Sequence, residues 1–239
     1  MTEQLKRIRN IYGIDYASKN DFFAVVLHQL PEYVSGRPYV PTLKTLRKYP
    51  HTSYAKMLEI LEQDLFRRFP PYYIVPDYTN EKTFTDILVE SYGDDMIEPI
   101  VFGNQTKKML KEDGLNMMAQ GYEFPNPAQV KHPTISAWIS GLINELLREQ
   151  IITTRANNMS FDHPQGEHND LAIAWELSIH GCLRWSLRPK SAPAAASSFG
   201  KVNRAKMYRD PDQFVKELKN NPKLKLQSVY VHNPADAIY

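Results

Sequence analysis

The first strongly patterned stretch of the chain is Ile11-Tyr12-Gly13-Ile14-Asp15-Tyr16-Ala17, apolar and β-rich. A short polar step, Ser18-Lys19-Asn20, separates it from Asp21-Phe22-Phe23-Ala24-Val25-Val26-Leu27-His28. Two such runs across a polar turn predict an antiparallel hairpin. Residues 39–46 are predicted to add a third strand, held to an edge because Pro41 cannot donate to a ladder. From residue 53 to 69 the apolar positions Met57, Leu58, Ile60, Leu61, Leu65 and Phe66 recur at helical spacing, and Pro70-Pro71 stops the helix. The uncharged run Tyr72-Tyr73-Ile74-Val75 reads as a strand buried on both faces. A helix is expected over 81–90, a short strand over 100–102 and another helix over 104–120. This strand–helix–strand–helix order predicts parallel neighbours joined by right-handed crossovers. Further on, a helix is predicted over 134–150, a small hairpin from 151–154 and 159–161, and a strongly apolar last helix over 170–187. Trp138, Trp175, Trp185 and Cys182 fall in helical patterns and are expected in the core.

Composition narrows the class. The 239 residues suffice for one α/β domain with a sizeable core, with or without an appendage. A single cysteine excludes an intrachain disulfide framework and any multi-cysteine zinc site. No apolar run approaches the ~18 residues of a membrane span, and Met1-Thr2-Glu3-Gln4-Leu5-Lys6-Arg7 lacks the apolar core of a secretory signal. A soluble intracellular protein without a membrane partner is the expectation. Twenty-nine Lys and Arg against 27 Asp and Glu give a formal charge of +2, which hides an uneven distribution. Residues 201–225 carry eight basic side chains, Lys201, Arg204 and Lys206 among them, against three acidic ones. The division expected is a basic lead-in (1–10), a main α/β domain (11–188), a low-complexity Pro/Ala/Ser linker (189–200) and a basic appendage (201–239).

Three aspartates stand out. Asp15 lies within the first strand, Asp77 closely follows the Tyr-Tyr-Ile-Val strand, and Asp170 opens the last helix. If the first two strands are neighbours, Asp15 and Asp77 come side by side, and a helix packed across the sheet can add Asp170. Crowded carboxylates repel one another, so such a group suits hard divalent cations, which take oxygen ligands. Two ions ~3.5–4 Å apart can activate water and stabilise a leaving oxygen in phosphodiester cleavage. Asp77 and Asp170 also have the plainer role of helix caps. Asp15 has no such role, and an acid in an apolar strand is costly without a partner.

These residues carry a resemblance. Gly13-Ile14-Asp15-Tyr16-Ala17 with Asp21-Phe22-Phe23-Ala24-Val25-Val26 resembles the opening hairpin of viral large-terminase nuclease domains. Tyr49-Pro50-His51-Thr52-Ser53-Tyr54, Ile74-Val75-Pro76-Asp77-Tyr78-Thr79-Asn80, Val101-Phe102-Gly103-Asn104-Gln105-Thr106-Lys107-Lys108 and His168-Asn169-Asp170-Leu171-Ala172-Ile173-Ala174 continue it in order across residues 11–187. The resemblance implies an α/β, ribonuclease-H-like fold, a mixed central sheet of antiparallel hairpin strands plus parallel strands flanked by helices. It implies a metal-dependent endonuclease that cuts concatemeric viral double-stranded DNA during packaging, with two Mg²⁺ or Mn²⁺ ions. Asp15, Asp77 and Asp170 would form the catalytic, metal-binding triad, with Asp21 as an accessory ligand and His168 modulating the site. The partners implied are a packaging ATPase domain or subunit, the portal and the small terminase, in the cytoplasm of an infected host cell. Asn169 departs from the family, which often has an aspartate there, and the loop after Asp77 lacks the glycines common in it.

The chain has no phosphate loop of the form G-x-x-x-x-G-K-[ST], so it is read as a nuclease domain of a longer protein or a separately encoded nuclease, not as the motor. Lys107, Lys108, Lys201, Arg204 and Lys206 are candidates for DNA phosphate contacts, or else solvated surface. Asp162, His163 and His168 are close in sequence but read as ordinary loop residues. Two alternatives stay open: a junction-resolving or transposase-like nuclease of the same fold, and an inactive DNA- or portal-binding module, the latter because of Asn169.

Overall fold

In the computed structural model the structure describes residues 8–16, 22–31, 40–50, 53–79, 82–153, 159–162 and 168–186. The linker and the basic appendage lie outside the described residues, as do Asp21, His163, Lys201, Arg204 and Lys206. The opening hairpin forms as expected, from β1 (Arg9–Tyr16) and β2 (Phe22–Leu30), paired antiparallel with Asp15 opposite Ala24. The edge strand β3 (Thr42–Pro50) begins just after Pro41, so the proline stands outside the ladder rather than in it. β3 pairs antiparallel with β2, placing Lys48 opposite Ala24.

Ser53 caps α1 (Tyr54–Ile60) by accepting a hydrogen bond from the Lys56 backbone N–H, and the chain continues through a π-helical turn, Leu61–Phe66. β4 (Tyr73–Pro76) is short and wholly buried and lies parallel to β1. The sheet order is therefore β3-β2-β1-β4, an α/β mixed sheet with both pairing senses. α2 (Lys82–Tyr92) follows.

The strand expected at 100–102 is not formed. Its place beside β4 is taken by two isolated parallel bridges, Ile74 with Ile97 and Asp77 with Ile100, while Val101 is 57% exposed. Isolated bridges do not make the continuous ladder of a strand. α3 (Asn104–Ala119), α4 (Pro133–Arg148) with a proline in its first turn, and α5 (Asp170–Ser186) match the predicted helices within a residue or two. β5 (Gln150–Thr153) and β6 (Met159–Asp162) form the small separate hairpin.

Strand periodicity sorts the sheet into two faces. Tyr12, Ile14, Tyr16, Phe23, Val25, Leu27 and Ile74 pack on α1, the π turn and α2. The opposite face, with Ala24, Val26 and Leu46, receives α5 through Leu171, Ala172, Ala174, Trp175 and Ile179. Trp175 and Cys182 are buried as expected, and burial pushes the Cys182 thiol well above its ordinary range; Trp138 and Trp185 are only half-buried. No described helix is long and apolar enough to cross a membrane.

Gly13 sets how closely α5 approaches. A Cβ there would overlap the carbonyl oxygen of Ala174 and lie 2.5 Å from the Ser178 nitrogen. Further along, a Cβ on Gly181 would lie 2.8 Å from Ile11 Cγ2. Residues 174–178 therefore cross Gly13 and residue 181 crosses Ile11, so α5 runs antiparallel to β1.

A closed polar chain under α5 fixes one tautomer of His28, which is fully buried. Ser178 Oγ donates to the Trp175 carbonyl (2.7 Å), so it accepts from His28 Nδ1 (2.7 Å). His28 Nε2 then accepts from the Tyr122 hydroxyl (2.8 Å), which itself accepts the Trp175 indole N–H (3.1 Å). A second ring proton could go only to Nε2, where the Tyr122 hydroxyl donates, and burial lowers the His28 pKa from 6.5 to about 3. Between those values the unfolded chain binds a proton that the folded one excludes. This contribution to stability is complete above pH 6.5 and is lost as pH falls towards 3, at up to about 1.4 kcal/mol per pH unit. Urea midpoints at pH 7 and pH 4.5, compared between wild type and His28→Gln, should show a smaller acid loss in the variant. Equal losses would remove His28 as the cause.

Candidate metal and nuclease centre

Three elements deliver carboxylates to one end of the sheet. Asp15 is next to last in β1, on the face that α5 covers, and is 5% exposed. Asp77 directly follows β4; its backbone N–H donates to the Ile14 carbonyl (2.9 Å), which makes it the lateral neighbour of Asp15. Asp170 opens α5 and is 3% exposed. From Ala174, which crosses Gly13, Asp170 is one helical turn back, about 6 Å. From Gly13, Asp15 is two residues forward on the same face, about 7 Å. The two advances match because helix and strand are antiparallel, so Asp170 is carried towards the Asp15 end.

Asp77 is held by the loop that follows it. Asp77 Oδ1 accepts from the Thr79 backbone N–H (2.7 Å) and the Thr79 hydroxyl (2.5 Å). Thr79 Oγ1 also accepts from the Phe102 N–H (2.8 Å), which ties this loop to the start of α3. Burial raises the Asp77 pKa, opposed by these hydrogen bonds and by the charge of Lys107. The Tyr16 hydroxyl, bonded to Thr85, is pushed above its ordinary range, first by burial and in smaller part by the charges of Asp77 and Asp15.

Asp170 is held differently. Lys48 Nζ lies 2.9 Å from Asp170 Oδ2 and 2.9 Å from Glu145 Oε1. Lys48, Ala24 and Asp15 stand in one row across β3, β2 and β1. The methyl side chain of Ala24 leaves the space over which the lysine reaches. Glu145 Oε2, from α4, also accepts the Ala172 N–H (3.0 Å) and so binds the first turn of α5. The Lys48 ammonium further faces the Phe22 ring at 4.7 Å, and that ring meets His168 edge-on at 5.3 Å. Burial opposes the Lys48 charge, but the hydrogen bonds and charges of Glu145 and Asp170 outweigh it and raise the pKa.

Of the other candidates, Lys107 is exposed in the first turn of α3 near Asp77, and Lys108 pairs with Glu112 at 3.9 Å. Asn169 caps α5 with its carbonyl, which accepts the Ile173 N–H (2.9 Å). A second buried ionic group, Lys111 between Glu149 and Glu176, lies on the α3 side of α5; burial raises Glu176 to about 8. Lys48, Glu145 and Thr79 were not singled out from the sequence. A strand lysine and a helix glutamate look like solvated surface, and only register and helix packing bring them to Asp170.

The donor set fits a hard divalent ion. All three acids offer oxygen, all are nearly buried, and Asp170 already takes a cation, the Lys48 ammonium. As they stand, however, no three His, Cys, Asp or Glu side chains among the described residues lie close enough to enclose a metal ion together.

No protein-family model and no curated protein sequence matches the chain. Solved structures do. The large terminase nuclease of thermophilic phage G20c with bound magnesium is similar, with a TM-score of 0.52 at 15% identity, over 72% of this chain and 81% of that one. The same nuclease has been solved in another crystal structure (TM-score 0.51, 15% identity, 72% and 82% covered). With bound cobalt it gives a TM-score of 0.51 at 14% identity, over 72% and 81%. The β3-β2-β1-β4 sheet between its two helical layers thus carries the fold of phage large-terminase nuclease domains.

Proposed function

We propose that the protein is a divalent-metal-dependent endonuclease that cuts double-stranded DNA in viral genome packaging. The observation that carries this reading is the delivery of Asp15, Asp77 and Asp170 to one sheet end by β1, β4 and α5. The metal-bound terminase nucleases of the same fold support it. Asp15, Asp77 and Asp170 would hold two Mg²⁺ or Mn²⁺ ions, which supply an activated water and a counter-charge for the leaving oxygen. Thr79 keeps Asp77 oriented through two hydrogen bonds, and Asn169 and Glu145 keep the first turn of α5 in place. Lys107, whose charge is felt at Asp77, would receive a DNA phosphate. Asp21 as an accessory ligand and His168 as a modulating group belong to the same reading.

Under this reading residues 11–188 are the nuclease domain, and Lys201, Arg204 and Lys206 in the 201–239 appendage follow the DNA backbone. Removing residues 190–239 should then flatten the salt dependence of duplex binding. An unchanged slope would assign the appendage another role. A packaging ATPase, the portal and the small terminase are the partners proposed, inside the infected cell.

Supercoiled plasmid incubated with Mn²⁺ or Mg²⁺ should be nicked and linearised, and EDTA should prevent it. A preference for four-way junctions over linear duplex would favour a resolving nuclease instead. The hold of Lys48 on Asp170 favours a second reading, an inactive DNA-binding module. Duplex binding without cleavage under both metals would establish it.

A further inference from the structure

The Lys48 ammonium is enclosed on three sides, by Asp170, Glu145 and the Phe22 ring, and is 16% exposed. It occupies a place where a metal-binding site would want a cation. It reaches that place from the edge strand β3, two strands away from Asp15 on the same face, about 10 Å between backbones. An ammonium that neutralises a buried carboxylate must give it up, or share it, when a divalent ion takes the same oxygens. Glu145 gives the ammonium somewhere to stay, since its Oε1 already accepts from Lys48 at the same distance as Asp170 does.

We propose that Lys48 is an internal counter-ion of this centre, a positioning residue that holds Asp170 in the metal-free protein and passes to Glu145 when a divalent ion binds. The inference rests on the reading of Asp15, Asp77 and Asp170 as metal ligands. Lys48 then competes with the metal for Asp170, and Glu145 competes with Asp170 for Lys48. The two residues therefore act on metal affinity in opposite directions, although both sit in one ionic cluster. A purely structural cluster would not produce that opposition.

The test is calorimetric titration of the full chain with MnCl₂ alone, without DNA, together with melting in EDTA. Lys48→Met should tighten the Mn²⁺ dissociation constant about tenfold while lowering the melting temperature in EDTA, because Asp170 and Glu145 lose their cation. Lys48→Arg, which keeps the charge, should stay near wild type. Glu145→Gln should weaken Mn²⁺ binding several-fold, because Lys48 then leans on Asp170 alone. Should Lys48→Met fail to fold, the Lys48→Met/Glu145→Gln pair removes both charges, and the Gln carbonyl can still accept the Ala172 N–H. That double variant should also bind Mn²⁺ more tightly than wild type. Asp77→Asn tests the underlying reading in parallel and should weaken Mn²⁺ in every background. If Asp77→Asn weakens binding but the Lys48 and Glu145 variants do not move it in opposite directions, the counter-ion role is overturned and the metal centre stands. If neither wild type nor Lys48→Met binds Mn²⁺, or Asp77→Asn has no effect, the metal reading falls and the inference with it.

Discussion

Plasmid cleavage should fall by about 10³-fold or more in each of Asp15→Asn, Asp77→Asn and Asp170→Asn. Metal-assisted phosphodiester hydrolysis draws several kcal/mol of barrier lowering from its ions, and each 1.36 kcal/mol is a decade in rate. An amide keeps the shape of the carboxylate but not its charge. The three variants should differ in stability without metal. Asp77→Asn removes an anion that burial already disfavours, and the amide oxygen can still accept from Thr79, so its melting temperature should hold or rise. Asp170→Asn takes a partner from Lys48, so its melting temperature should fall. Cleavage rates on supercoiled plasmid in Mn²⁺, with circular dichroism melts in EDTA, check both parts. Wild-type cleavage in all three variants would defeat the assignment of the site.

The largest effect on folding is expected at Gly13. In Gly13→Ala the new methyl group meets the backbone of Ala174 and Ser178, which cannot rotate away as a side chain could. Overpacking of a core commonly costs about 1–3 kcal/mol, and a backbone clash should exceed that range. A loss of about 4 kcal/mol is a large part of the ~5–15 kcal/mol that holds a domain together, and should lower the melting temperature by roughly 8–16 °C. Gly141→Ala in α4 is the matching control. Its Cβ would meet only Leu171 Cδ1 at 3.6 Å, an ordinary contact. The gain in helix propensity should therefore leave that variant as stable as wild type or slightly more so. A Gly13→Ala protein that melts with wild type would mean that α5 does not lie this close to β1.

The elements that could be read from the sequence were those whose signal is local. The hairpin, the helices and the buried Tyr73–Pro76 strand each carry their own periodicity or their own stop signal, such as Pro70-Pro71. Residues 100–102 misled because three apolar residues in a row look the same in a strand as in a loop with two bridges. In the candidate site, Asp15 stood out because an acid in an apolar strand needs a reason. Lys48 and Glu145 gave no such signal. Their meeting with Asp170 depends on strand register and on the small side chain of Ala24, and neither is encoded in any short window. Gly13 belongs to the Gly13–Ala17 motif, but its mechanical part, the close crossing of α5, appears only when the last helix is laid on the first strand.

That crossing of α5 over β1 also has a bearing on time. The carboxylates at residues 15 and 77 are synthesised long before the one at residue 170, and the helix that brings it is also the cover for one face of the sheet. Contacts this distant along the chain make folding slow, because much of the loop must be ordered before they reward it. A ribosome that has not yet released α5 therefore carries a sheet with one apolar side bare and only two of the three acids. Under the proposed reading such a nascent chain lacks a complete metal site, and cleavage would begin only with the docking of the last helix.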